Sequence, residues 1–472
     1  MGGDHYLYLT EDTTGSITVQ GNSRVYLCLN GYTLNGSIIV GFSDSRGTLT
    51  ICDCSAWHTG KIIGSSNGII KVNGQGTLNL YGGTLSCDAG ETDVSAVDVV
   101  GSATVNGAVT IELTNVPANR GSSAVHVWGG GSLDFQNGTV TCTASNGQLG
   151  YGIRVEDADA GDVTISGGKI SNLRVDSGAV NVSGGDFTSI YNSGTLTMTG
   201  GSVDYDLNTA VSNSGTMTLS HVTISSNATG STGFAAVNNT GALSVKDNVT
   251  ITGVDIGIRN DRSSATVLIN GTNVKISATG ERGTGVNNSS GTLTIHEGAD
   301  IDGGYIGVYG RVTLIGAPAI DGITADLGVQ SMSAVTADAA YVDATAYTGG
   351  ALTVYEVTLP DVHQTGPVGY AVKGVDATKA TLFTLVNGGG IFEYPYDSSA
   401  QAIQLVNPSV HPVCGDANCT DGHPVPTAWT AWTAASGATL TGGSYYLTRN
   451  ATSISSTIQI TGTVNLCLNG HT

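Results

Sequence analysis

The sequence predicts an all-β chain: a right-handed, single-stranded parallel β-helix (a solenoid), followed by an irregular β-rich C-terminal segment. Three observations predict it. A short unit of the type GTLTMTGGSV recurs from residue 47 to residue 301. Gly fills 69 of 472 positions while charged residues make up only 11 %, a balance that disfavours helices, which tolerate Gly poorly and display charged faces. Within each unit, apolar and polar residues alternate with period two, the pattern of a half-buried strand.

The units run in order. GTLTI (47–51) opens the series, followed by GTLNLYGGTL (76–85), ATVNGAVTI (103–111), GSLDFQNGTV (131–140) and GDVTISGGKI (161–170). GAVNVSGGDF (178–187), GTLTMTGGSV (194–203), GTMTLSHVTI (215–224) and GALSVKDNVTI (241–251) continue it. ATVLINGTNVKI (265–276) and GTLTIHEGADI (291–301) end it. In GTLTMTGGSV the alternation assigns Leu196, Met198 and Val203 to one face and Thr195, Thr197 and Thr199 to the other. Gly200-Gly201 supplies a corner where positive φ costs little.

A third apolar run often follows, as in AVHV (124–127), GIRV (152–155), AVSN (210–213), AAVNN (235–239) and GIRN (257–260). Three short strands and three corners describe one coil of a β-helix. Stacking satisfies each strand's backbone amides and lines the inward aliphatics into a continuous core. Asn192, Asn213, Asn239, Asn260 and Asn288 recur near the third corner and predict a structural amide ladder.

The grammar lapses after Pro318. Residues 1–316 are assigned to the β-helix and 317–408 to a β-rich cap or small β module. A His/Cys/Trp linker follows at 409–435, and 436–472 begins a second, truncated unit. The last assignment rests on VNLCLNGHT (464–472), which restates VYLCLNGYT (25–33). The chain is therefore expected to be a fragment of a longer tandem array, with covalent neighbours of the same kind.

Composition excludes several roles. Seventeen Lys+Arg against 37 Asp+Glu give a net charge of −20, which repels nucleic acid and anionic lipid. No apolar run is long enough to span a membrane, and Met1-Gly-Gly-Asp does not open a signal peptide.

VYLCLNGYTLNG, the downstream GTLTICDCS and GKIIG, and HPVCGDANCTDGH with WTAWT resemble repetitive, adhesin-type right-handed β-helix proteins on the surface of anaerobic Gram-positive gut bacteria. The resemblance implies secretion, display at the cell surface and a partner that is a glycan or a protein. It implies a non-enzymatic repeat module of an adhesin or stalk, presenting its longer inter-coil segments at 88–100, 113–123, 143–150 and 225–236. The alternative is a carbohydrate-active enzyme on the same fold, a polysaccharide lyase or hydrolase.

Candidate sites are few. His411, Cys414, Cys419 and His423 offer two thiolates and two imidazoles within one short segment, a donor set for structural zinc. A Cys414–Cys419 disulfide is the rival, and no other cofactor is expected. Cys28 and Cys52 share the outward parity of successive strands and are expected as reduced, stacked thiols, with Cys54 as a diagonal partner. Cys87 and Cys142 follow equivalent strands and are expected to stack. For catalysis the nearest carboxylates are Glu156, Asp157, Asp159 and Asp162 beside Arg154, then Asp204 and Asp206; the first cluster reads as a solvated loop. Trp57 and Trp128 are the Trp of the repeats. An outward column from Thr50 through Asn79, Asp134, Thr164 and Thr197 to Leu268 and Thr294 is too irregular to template ice.

Overall fold

The computed structural model describes residues 3–91, 93–117, 121–145, 150–157, 162–206, 208–228, 234–330, 340–357, 366–387, 394–407, 430–432, 437–447 and 456–467. It is all-β, with one short helix, Ala377–Ala380, among the described residues. The chain forms two compact regions, Met1–Gly328 with Ala346–Leu352, and Val329–Thr345 with Thr353–Thr472.

In the first region nearly every strand pairs in parallel with a strand of the next repeat, and three ladders result. The first joins Ser23–Cys28 to Gly47–Cys52 and then to Gly76–Asp88. Further on it joins Thr195–Met198, Thr216–Leu219 and Ala242–Val245. The second links Ser202–Asp204, Thr223–Ser226 and Thr250–Gly253. The third links Ile70–Val72, Ser95–Val99, Ser123–Val127 and Tyr151–Val155. Parallel pairing continues through Ala319–Gly322 and Ala325–Gly328.

Register turns the period-two pattern into columns. Leu49, Leu78, Ala103, Leu133 and Val163 are successive partners in the first ladder, and all are buried. The column continues through Val180, Leu196, Met217 and Leu243. Leu196, Met198 and Val203 point inward, as the alternation predicts. Each such side chain contributes about 1.5–3 kcal/mol through burial. The outward Thr column forms as read, with Thr104 filling the place between Asn79 and Asp134. Gly201 turns its corner at φ +96°, and a Cβ on Gly200 would strike the Ser183 carbonyl.

The amide ladder is present in full. Nδ2 of Asn192 donates to Oδ1 of Asn213 at 2.7 Å, and Asn213 to Asn239 at 2.7 Å. Asn239 donates to Asn260 at 2.9 Å and Asn260 to Asn288 at 2.8 Å. The second amide hydrogen of each of the first four reaches a backbone carbonyl of the following repeat, such as Ala242 O for Asn213. The ladder begins where Val175 precedes Asn192 in register, and there the buried Asn192 Oδ1 finds no donor.

In the second region Gly366–Lys373 pairs antiparallel with Ala402–Asn407, and Asp376 caps the helix by accepting from Lys379 N. A separate parallel sheet joins Thr430–Trp432, Thr439–Leu447 and Gln459–Cys467. Its strands pair in parallel, as the N-terminal strands do, with a one-residue register shift between Thr441 and Gly443. Tyr446 pairs with Cys467 as Tyr8 pairs with Cys28. No helix among the described residues is long and apolar enough to cross a membrane.

Replacing Asn239 with Leu orphans one Asn213 N–H and the Asn260 Oδ1. At about 1–3 kcal/mol for each buried unsatisfied group, the variant should lose ~2–6 kcal/mol in denaturant unfolding. Thr218→Ala, on the outward column, should change stability by no more than about 0.5 kcal/mol.

Candidate functional site

Side chains that point outward from the third ladder form their own column. Lys71, Asp98, His126, Arg154, Arg174 and Tyr191 are successive register partners. Placing Arg154 directly beside Arg174 is unfavourable by itself. Asp176 bridges them, accepting from Arg154 Nε at 2.8 Å and from Arg174 Nε at 2.6 Å. Arg154 also meets Glu156 at 3.2 Å and donates to the Gly121 carbonyl at 2.8 Å. Arg174 lies over the Tyr151 ring, 4.8 Å from its centre.

Toward the N-terminal repeats this network opens into a groove of about 760 Å³. Lys71, Asp93, Asp98, His126, Trp128, Glu156 and Asp157 are among its walls. His126 Nε2 is 3.1 Å from Glu156 and Nδ1 is 3.7 Å from Asp98. The shorter contact favours the neutral tautomer with the proton on Nε2, donated to Glu156. Burial holds His126 below the ordinary histidine value; Asp98 and Glu156 pull upward, and Arg154 adds to the depression. Trp128 Nε1 donates to Asp98, its ring stacks on His126, and 38 % of its surface stays open. Asp93 and Asp157 hold φ +61° and +100°, conformations uncommon outside Gly.

The groove draws together Glu156, Asp157 and Trp128 from the sequence reading, with Arg154 held beside it by its ion pair to Glu156. Arg154 and Glu156 belong to an ion-pair network, not to the solvated loop expected of them. Asp159 lies outside the described residues, and Asp162 is absent from the groove lining. Asp204 and Asp206 are engaged elsewhere, by Ser225 and Asn227. Trp57 stands 86 % exposed. Lys71, Asp98 and His126 were missed, although each occupies the same outward position of a third-ladder strand as Arg154.

His411, Cys414, Cys419 and His423, the expected zinc or disulfide segment, lie outside the described residues, as do parts of the four inter-coil segments. The cysteines that come together are Cys28, Cys52 and Cys54, whose sulfurs lie within 4.8 Å of one another and could hold a metal. Cys28 and Cys52 pair in register, but Cys28 is at disulfide distance from Cys54, with a Cα separation of 6.1 Å. That corrects the expectation of reduced, stacked thiols. In-register parallel strands keep Cβ atoms about 4.8 Å apart, beyond the usual ~3.5–4.5 Å of a disulfide. Cys54 escapes this limit because it lies past the strand end, where the chain turns. Asp53 makes that turn, accepting from the amides of Gly31 at 2.8 Å and Gly60 at 2.7 Å.

Cys87 and Cys142 share one inward column but do not touch, because Leu113 stands between them in register. Burial pushes the Cys87 thiol up to about 11, helped by Asp88, and Cys142 up to about 12.

No protein-family model, curated protein or solved structure matches the chain.

Two measurements follow from these environments. Alkylation of the native chain near pH 8, read by mass spectrometry, should leave Cys87 and Cys142 unmodified until denaturant is added. Because His126 titrates lower when folded, the unfolded chain binds its proton first as pH falls. Stability should therefore decline as pH falls below about 6.5, and His126→Gln should flatten that part of the unfolding profile.

Proposed function

We propose that this chain is a surface-displayed module of a right-handed parallel β-helix adhesin or stalk, one unit of a tandem array, and that it binds glycans without chemical turnover. The register shared by Tyr8–Cys28 and Tyr446–Cys467 supports the array. The observation that carries the binding role is the groove at Trp128. A tethered indole beside His126, ringed by short polar side chains, suits the apolar face and hydroxyl edge of a sugar ring.

Charge narrows the ligand. Asp93, Asp98, Glu156 and Asp157 outnumber Lys71 among the charged groups lining the groove, so uronic acids and sulfated sugars are repelled while neutral or amino sugars are accepted. Secretion and cell-surface display come from the resemblance of the LCLNG and His/Cys/WTAW motifs to Gram-positive surface proteins.

The second reading is a glycan-cleaving enzyme, favoured by the two carboxylates that flank His126. They are the proton-handling groups such chemistry needs.

Binding to an array of neutral, amino and acidic glycans should show hits in the first two classes. Trp128→Ala should lower that affinity by about 1–3 kcal/mol with an unchanged circular dichroism spectrum. Hits confined to uronates, or binding unaffected by Trp128→Ala, would exclude the groove as the contact surface. Release of reducing ends from a bound glycan, lost in Glu156→Gln, would replace the adhesin reading by the enzymatic one.

A further inference from the structure

We propose that reduced Cys28, Cys52 and Cys54 form a three-thiolate site for a soft monovalent cation, Cu(I), and that the Cys28–Cys54 disulfide is the closed state of the same site. This inference is independent of the glycan-binding groove.

Three features of the cluster carry it. The sulfurs already converge within 4.8 Å of one another. Cys52 Sγ lies 3.6 Å from Cys54 Sγ, within a few tenths of an ångström of the ~4.0 Å that two thiolates adopt in a three-coordinate set when each sits about 2.3 Å from a shared metal. The Cys54 amide donates to Cys28 Sγ at 3.2 Å, a bond that stabilises charge on that sulfur whether it is bridged to metal or free. The scaffold is also set beforehand. Cys28 and Cys52 are fixed side by side in a β-ladder. Asp53, with its carboxylate engaged by Gly31, Ser55 and Gly60, holds the turn that brings Cys54 back and is not itself available as a ligand.

The donor set selects the cation. Among the described residues no His or carboxylate joins the three sulfurs. The nearby His58 places Nδ1 3.1 Å from the Asp53 carbonyl. Structural zinc takes four protein ligands almost without exception, whereas an all-sulfur, low-coordinate set suits Cu(I). Cys28 and Cys52 are half-buried and Cys54 is exposed, which leaves a route of entry while shielding the bound ion.

The two states interconvert by thiol–disulfide exchange. Two molecules of a small thiol, R–SH, break the Cys28–Cys54 bond and leave as R–S–S–R, their two hydrogens passing to the cysteine sulfurs. Cu(I) then displaces the three thiol protons as three Cu–S bonds form. Occupancy falls as pH drops, because protons compete with the cation for the sulfurs.

The test is Cu(I) titration of the full chain, reduced and anaerobic, against a chromogenic Cu(I) chelator, with Zn(II) titrated in parallel. The expected result is a Cu(I) equivalent that disappears in Cys52→Ser and in Cys54→Ser and persists in the Cys414→Ser/Cys419→Ser double variant. It should also vanish when the wild-type chain is first oxidised with a disulfide of R–S–S–R type. Cys54 is exposed and lies outside the strands, so Cys54→Ser preserves the fold, and its circular dichroism checks this. Retention of the equivalent in both single variants would overturn the site. Binding by the oxidised chain would overturn the closed-state role of the disulfide, and saturation by Zn(II) in preference to Cu(I) would overturn the choice of cation.

Discussion

In-register pairing of parallel strands is the constraint on which the rest of the first region depends. Strand amides are satisfied by the preceding or the following repeat, so a residue's decisive neighbours are its column mates and not its neighbours in sequence. An inward column must be apolar or must satisfy its own polar groups along the stack. The five asparagines take the second course. An amide can do so because it carries both a donor and an acceptor and so can hand the same bond onward at every step. The orphaned Asn192 Oδ1 shows the limit of that solution. Where Val175 replaces an amide, one buried acceptor goes unpaired at the end of the run.

The same rule builds the groove. Outward positions of the third ladder stack charges that free side chains would keep apart, and Arg154 beside Arg174 is stable because Asp176 and Glu156 lie next to them. With two arginines bound to those carboxylates, the charges on one side of the network are paired. Lys71, Asp98 and His126 continue the column into a region where Asp93 and Asp157 curve the chain through positive φ. The groove is thus a place where the regular column continues while the segments beside it turn outward. Its contents follow from repeat position, whereas its shape follows from the connections.

That division explains what was legible in the sequence. Alternation located the strands, the inward faces and the asparagine ladder, because each is a property of one repeated position. Lys71, Asp98 and His126 were equally legible as outward residues of IKV, AVDV and AVHV. IKV and AVDV went unread because the early repeats carry long insertions that break the period, and AVHV was aligned with GIRV for its apolar residues while its outward His126 was passed over. Arg154, in the GIRV strand, and Glu156, just after it, were seen but grouped with the acidic run that follows and assigned to solvent, and only the register places them against His126. The disulfide was misread for a related reason. Parity predicts which residues share a face, but it says nothing of a chain that turns back just beyond its strand.

Cys54 makes that last point physically. A bridge between Cys28 and Cys52 would have to pull together two side chains that the ladder holds parallel, straining several backbone hydrogen bonds to gain one covalent bond. Asp53 removes the conflict by turning inward and accepting the amides of Gly31 and Gly60, which brings the next residue around to meet Cys28 from outside the ladder. Cys52 then keeps its thiol beside a completed bridge. Three sulfurs therefore meet where the ladder alone would bring two, and the third is present because one buried carboxylate ends the strand there.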